Sequence, residues 1–177
     1  MKEMNADRFY RLFKGNFKPT KNTNIKKAYS KYAKTLSMGQ WTGLMGEFLF
    51  DMMDQKYFDR NDFTSEIRIP GGRPDYKWEK KGYSIFIEHE NDKKDVVRKE
   101  VKNLLNSDGD LRVLITYVED PEEREDLVDE ILDQLKNKKE GKNFEFLLII
   151  GTDEQMVNYH TWEAHRFHPT FEVEALD

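Results

Sequence analysis

The hydrophobic pattern changes period along the chain, and the changes mark its elements. In the first third the spacing is helical. DRFYRLF puts Phe9, Leu12 and Phe13 on one face with Gly15 placed to end the turn, and IKKAYSKYAKTL repeats the spacing with Ile25, Ala28, Tyr29 and Tyr32. A longer apolar stripe covers 40–57, where Trp41, Leu44, Met45, Phe48, Leu49 and Met52 recur at i, i+3, i+4. Gly43 and Gly46 lie within it and permit close approach of another element, and Glu47 stands at its edge.

From residue 64 the period becomes two. TSEIRIP (64–70) alternates, PGGRP is a turn, DYKWE (75–79) is a short strand, and Lys80-Lys81-Gly82 turns it back. YSIFIEHE (83–90) is apolar on both faces until its end, as a central strand is. KDVVRKEVKNLL (94–105) returns to helix with Val97, Val101, Leu104 and Leu105 inward, Asn91 and Asp92 being placed to cap it. LRVLITYV (111–118) is a strand. Asp120-Pro121 opens an acidic helix with Leu127, Val128, Ile131, Leu132 and Leu135 on its core face, acids at its start and lysines at its end. FEFLLIIG (144–151) is another buried strand, the stretch from Thr152 has no clear period, and FEVEA (171–175) suits an edge strand. The order predicts an α/β fold, a mixed central sheet flanked by helices, with antiparallel hairpins first and βα crossovers afterwards.

Charge changes the picture at the N-terminus. Residues 1–36 hold ten Lys/Arg against two acids, a balance of +8, which leaves 19 basic against 32 acidic residues, or -13, on 37–177. The expected organisation is a basic helical arm at 1–36 ahead of one compact domain at 37–177, the length of 177 residues sufficing for a core without staples. In the arm, Lys14, Lys18, Lys21, Lys26, Lys27, Lys31 and Lys34 interleave with Phe17, Tyr29 and Tyr32. That mixture suits a phosphate backbone with base stacking, and equally a solvated lysine-rich helix face. The chain has no cysteine, which excludes disulfides, thiolate metal sites and a cysteine nucleophile. With no apolar run near the ~20 residues of a bilayer span and no signal-peptide stretch at the start, the expectation is a soluble cytoplasmic protein.

The chemistry is expected where the carboxylates fall. Asp75 follows a Gly-Gly-Arg-Pro turn, and Glu88 and Glu90 stand two apart at the end of the most apolar strand. Alternation puts those two glutamates on one face and His89 on the other, where a satisfied core histidine is expected. Paired acids on a buried strand repel and lose hydration, and a divalent cation relieves both. All-oxygen ligands favour Mg²⁺ or Mn²⁺ over zinc.

Pro74-Asp75, twelve intervening residues and Glu88-His89-Glu90 resemble the motif of the PD-(D/E)XK nuclease superfamily, the fold of many restriction endonucleases and repair nucleases. The resemblance implies a restriction endonuclease-like αβββαβ core over about 40–118, and hydrolysis of phosphodiester bonds in DNA in preference to RNA. It implies Asp75 and Glu88 as ligands of Mg²⁺ (or Mn²⁺) with a main-chain carbonyl near His89, and Glu47 as the additional acid on the preceding helix. Glu90 occupies the family's lysine position. It is expected to act as general base or to help hold a second metal, unless a lysine reaches in from Lys94, Lys99 or Lys102. Arg73, Lys94 and Lys102 are the candidate substrate contacts. The substitution at 90 leaves a second outcome open, a nuclease-fold module that binds nucleic acid or a protein partner without cutting. Cleavage of both strands of a duplex implies a homodimer by symmetry.

The segment YHTWEAHRFH holds His160, His165 and His168. Helical spacing of the last two suggests a metal site, but Pro169 ends any helix there and no thiolate assists. A nucleic-acid surface using Trp162, Arg166 and Phe167 is the preferred functional expectation for it.

Overall fold

The computed structural model describes residues 4–17, 38–54, 58–65, 67–69, 72–90, 96–118, 120–138, 144–152 and 162–177. Helices α1 (Ala6–Asn16) and α2 (Met38–Asp54) precede a 3₁₀ turn (Arg60–Asp62) and strands β1 (Phe63–Ser65), β2 (Tyr76–Lys80) and β3 (Tyr83–His89). A π turn (Val96–Val101) running into a short α-helix (Lys102–Asn106) makes α3. Then come β4 (Leu111–Val118), α4 (Pro121–Asn137), β5 (Glu145–Thr152), β6 (Glu163–Phe167) and β7 (Val173–Leu176). No described helix is long and apolar enough to cross a membrane.

The seven strands form one sheet whose spatial order follows chain order. β1, β2 and β3 are antiparallel neighbours, β3, β4 and β5 run parallel, and β6 and β7 return antiparallel. This is the mixed α/β sheet that the hydrophobic period predicts. Between β2 and β3 a two-residue turn needs left-handed backbone at both positions, and Lys81 (φ 53°) and Gly82 (φ 79°) supply it. The parallel pairs need crossovers, which α3 and α4 provide. At the start of α4, Asp120 accepts a hydrogen bond from the Glu123 N–H at 2.9 Å, with Pro121 in the first turn.

Period-two burial sorts the strand side chains between two cores. On one face Tyr76, Trp78, Ile85, Ile87, Val113, Ile115, Leu147 and Ile149 pack with α1 and α2. On the other, Phe86, Leu114, Phe146, Leu148 and Ile150 pack with Val101, Leu104 and Leu105 of α3 and with Leu127, Ile131 and Leu135 of α4. Arg112 is buried on this second face. It donates to the Ser107 carbonyl at 2.8 Å and lies over the Phe144 ring, so one guanidinium satisfies a carbonyl just past the end of α3 and stacks on an aromatic.

Three expectations change. The first half of the presumed arm is core: Phe9, Tyr10, Phe13 and Phe17 are buried, and Phe13 meets Phe48 and Trp162 edge-on at 5.4 and 5.0 Å. α1 is held at its start by Asn5, which accepts from the Arg8 N–H, and by Glu145, which accepts from the Ala6 N–H at 2.8 Å. Residues 18–37, with the remaining lysines of the arm and Tyr29 and Tyr32, lie outside the described residues.

Second, 163–167 is strand β6. Trp162 and Phe167 are therefore core residues and not a stacking surface, Arg166 is ion-paired to Glu145 and Glu174, and His165 and His168 do not share a helix. His160 lies outside the described residues.

Third, the strand expected over 64–70 narrows to Phe63–Ser65, although its register continues: the Ile67 N–H donates to the Pro74 carbonyl at 3.1 Å and Ile69 bridges Gly72. The described pairing of β1 with β2 thus ends at Ser65 and Tyr76, one residue short of Asp75.

Candidate metal centre

In the β2–β3 ladder Tyr76 is opposite Ile87, so Asp75 falls opposite Glu88 one step beyond the last pair. There the side chains take over from the backbone. The Asp75 N–H donates to Glu88 Oε2 at 3.2 Å, and the His89 N–H donates to Asp75 Oδ2 at 3.0 Å. Each acid is held by a main-chain donor belonging to the other acid's strand. Glu88 is 2% exposed.

A third acid joins them from α3. Glu100 is 6% exposed, and the Asn103 side-chain amide links it to Glu88, donating to Glu88 Oε1 at 3.1 Å and to Glu100 Oε2 at 2.8 Å. Glu100 follows Val96 by four residues and stands beside Val101, both of them buried, so it falls on the inward stripe of this stretch. Behind Asn103 sits Gly72, where an added Cβ would stand 3.0 Å from both the Asn103 Cα and Oδ1. The turn that leads into Pro74-Asp75 therefore rests directly on α3.

Among the other expected site residues, Glu90 is half-buried at the end of β3. Its N–H donates to the Ile115 carbonyl at 3.0 Å and its carbonyl accepts from Thr116 Oγ1 at 3.1 Å, which fixes the backbone at that point. Its charge is felt at Asp75. Glu47 is exposed on α2, a helix that packs on the opposite face from Glu100 and Asn103, and among the described residues no hydrogen bond or ion pair links it to the acids. Arg73 and Lys102 are exposed, and Lys94, Asn91 and Asp92 lie outside the described residues. Of the lysines considered as replacements for the one missing at 90, Lys99 approaches the group, with Nζ 3.4 Å from Glu100 Oε1. His89 is a core histidine bonded to the Tyr117 hydroxyl through Nε2 at 3.0 Å, and burial lowers its pKa to about 3.

Burial is the largest cause that raises the Asp75 pKa, to about 6. It raises that of Glu88 further, above neutrality, and the neighbouring Asp75 and Glu100 add to the shift. Among the described residues no three His, Asp or Glu side chains already stand at metal-ligand spacing. The donor set suits a hard cation all the same. Buried carboxylates with one amide between two of them match Mg²⁺ or Mn²⁺ in ligand type, and a bound cation would offset the repulsion and lost hydration that displace both titrations.

A pH dependence follows. Glu88 has its folded-state pKa above the unfolded value, so the folded chain holds the extra proton and stability falls as pH rises. Below about pH 6.5 the buried neutral His89 opposes this trend, since protons then favour the unfolded state. Between pH 7 and 9 Glu88 is, among the described residues, the raised carboxyl that governs the slope. The stability of the metal-free protein, followed by urea denaturation, is expected to fall there by up to ~1.4 kcal/mol per pH unit. Glu88→Gln should flatten the profile, and a wild-type profile already flat over that range would refute the assignment.

Comparison with known proteins found no matching family, no matching characterised protein and no matching solved structure.

Proposed function

We propose that this chain is a metal-dependent nuclease of the PD-(D/E)XK type, acting on phosphodiester bonds in DNA. The observation that carries the reading is the crossed pair: Asp75 and Glu88, from the two halves of the motif, hold one another at the ends of adjacent strands. The succession α2, β1–β3, α3, β4 supports it, being the order of a restriction endonuclease-like core.

On this reading Asp75 and Glu88, with a main-chain carbonyl near His89, hold Mg²⁺ or Mn²⁺, which when bound acidifies a water and stabilises negative charge on the phosphate. The His89 N–H orients Asp75, and Asn103 and the Asp75 N–H orient Glu88. Glu90 accepts the proton of the attacking water as its oxygen bonds to phosphorus and the bond to the leaving oxygen breaks. Arg73 and Lys102, both exposed, meet flanking phosphates.

One observation favours a second reading, a module that binds without cutting. Both Glu88 carboxylate oxygens are already engaged by N–H donors, and the lysine position of the motif is Glu90. Incubation with linear, circular and single-stranded DNA and with RNA, in Mg²⁺, Mn²⁺ or EDTA, separates the two. The nuclease reading expects DNA cleavage that EDTA abolishes. Binding without cleavage in every metal supports the second reading, and cleavage indifferent to EDTA overturns the metal mechanism.

A further inference from the structure

We infer that Glu100, presented by the π turn of α3, is the third carboxylate of this centre, and that Asn103 is the positioning residue that sets it beside Glu88. The inference rests on the nuclease reading for the nature of the ligand, a hard divalent cation, and goes beyond the motif, which contains neither residue.

Enclosure comes first. A glutamate 6% exposed is costly to hold as a charge, and among the described residues its cationic neighbour Lys99 has a side chain 61% exposed with Nζ 3.4 Å away, a pairing of little strength. Glu100 is thus enclosed beside a second buried acid, Glu88.

The second support is Asn103. A single amide nitrogen reaches both Glu88 and Glu100, which fixes the distance between the two acids. Its placement is constrained from the far side by Gly72, two residues before Pro74, where an added Cβ would press on Asn103 at 3.0 Å. The turn carrying Asp75 and the helix carrying Glu100 are therefore in contact at Gly72 and Asn103.

The π turn is the third. It departs from α-helical hydrogen bonding, and such turns frequently occur at functional sites. Here it holds Glu100 between the buried Val96 and Val101.

The test is Mn²⁺ binding to the metal-free full chain by titration calorimetry, with folding followed by circular dichroism. Glu100→Gln and Asn103→Ala are each expected to weaken Mn²⁺ binding by roughly tenfold or more, as loss of a ligand or of its outer support does. Glu100→Asp should restore part of the affinity, and Asp133→Asn, the same loss of charge on the exposed side of α4, should stay within about twofold. Gly72→Ala, which crowds Asn103 without touching an acid, should weaken binding in the same direction by a smaller factor and serves if Asn103→Ala fails to fold. If wild type binds Mn²⁺, Asp75→Asn abolishes binding and Glu100→Gln binds as wild type does, the inference falls and the nuclease reading stands. If wild type neither binds Mn²⁺ nor cleaves, the nuclease reading falls and takes the inference with it.

Discussion

Asp75→Asn and Glu88→Gln are each expected to reduce metal-dependent DNA cleavage by about 10²–10³-fold or more while leaving the chain folded. Both substitutions keep shape and remove charge. An Asn at 75 still presents a carbonyl oxygen to the His89 N–H, and a Gln at 88 still presents one to the Asp75 N–H. Backbone order at the ends of β2 and β3 is therefore retained. Burial already pushes the Glu88 carboxyl toward its protonated form, so the neutral amide should change stability at neutral pH by no more than about 1 kcal/mol. Cleavage rates in Mg²⁺, with urea midpoints measured beside them, check both halves. Cleavage that survives either substitution sinks the site assignment, and loss of cleavage accompanied by unfolding leaves Asp75 and Glu88 as structural residues.

Phe13→Ala is expected to destabilise the protein by about 3–5 kcal/mol, a large part of the ~5–15 kcal/mol typical of a whole domain. Phe13 is fully buried, stacks on Phe17 at 5.3 Å and meets Phe48 and Trp162 edge-on. Truncation removes a ring that ties α1 to α2 and to the start of β6. The measurement is the urea midpoint, set against DNA affinity as a function of salt. Were residues 6–17 a detached basic arm, the midpoint would hold and only the affinity would change.

Much of the sheet was legible in the sequence because its strands are either strictly alternating or apolar throughout. YSIFIEH, LRVLITYV and EFLLIIGT became β3, β4 and β5. Period two puts Glu88 and Glu90 on one face, whereas the meeting of Asp75 with Glu88 follows from the resemblance of Pro74-Asp75 and Glu88-His89-Glu90 to the nuclease motif. What escaped had mixed signals. β6 is written EAHRF, and its inward Ala164 and Phe167 alternate with ion-paired and half-buried polar residues, so neither period stood out. Glu100 lies at helical spacing from Leu104 and beside Val101, but a single charge at the edge of an apolar stripe reads as solvated, and nothing local shows that Glu88 meets it from the sheet. α1 shows a different difficulty. Its apolar face is plain in the sequence, but Lys14 and the lysines after it point to a charged arm, and nothing local says that this helix packs under β5 and β6.

The crossed bonds between Asp75 and Glu88 have a consequence for when the centre comes into being. Twelve residues separate the two acids, and the β2–β3 hairpin alone brings them together, so this half needs only short-range pairing. Glu100 and Asn103 join once α3 has crossed over and β4 has docked beside β3. A slip of one residue in the hairpin would send Glu88 to the α1–α2 side and scatter the group. The arrangement thus acts as a proofreader of its own assembly: a nascent or misregistered chain lacks the centre, and the chemistry proposed for it begins only after strand register and crossover are both correct.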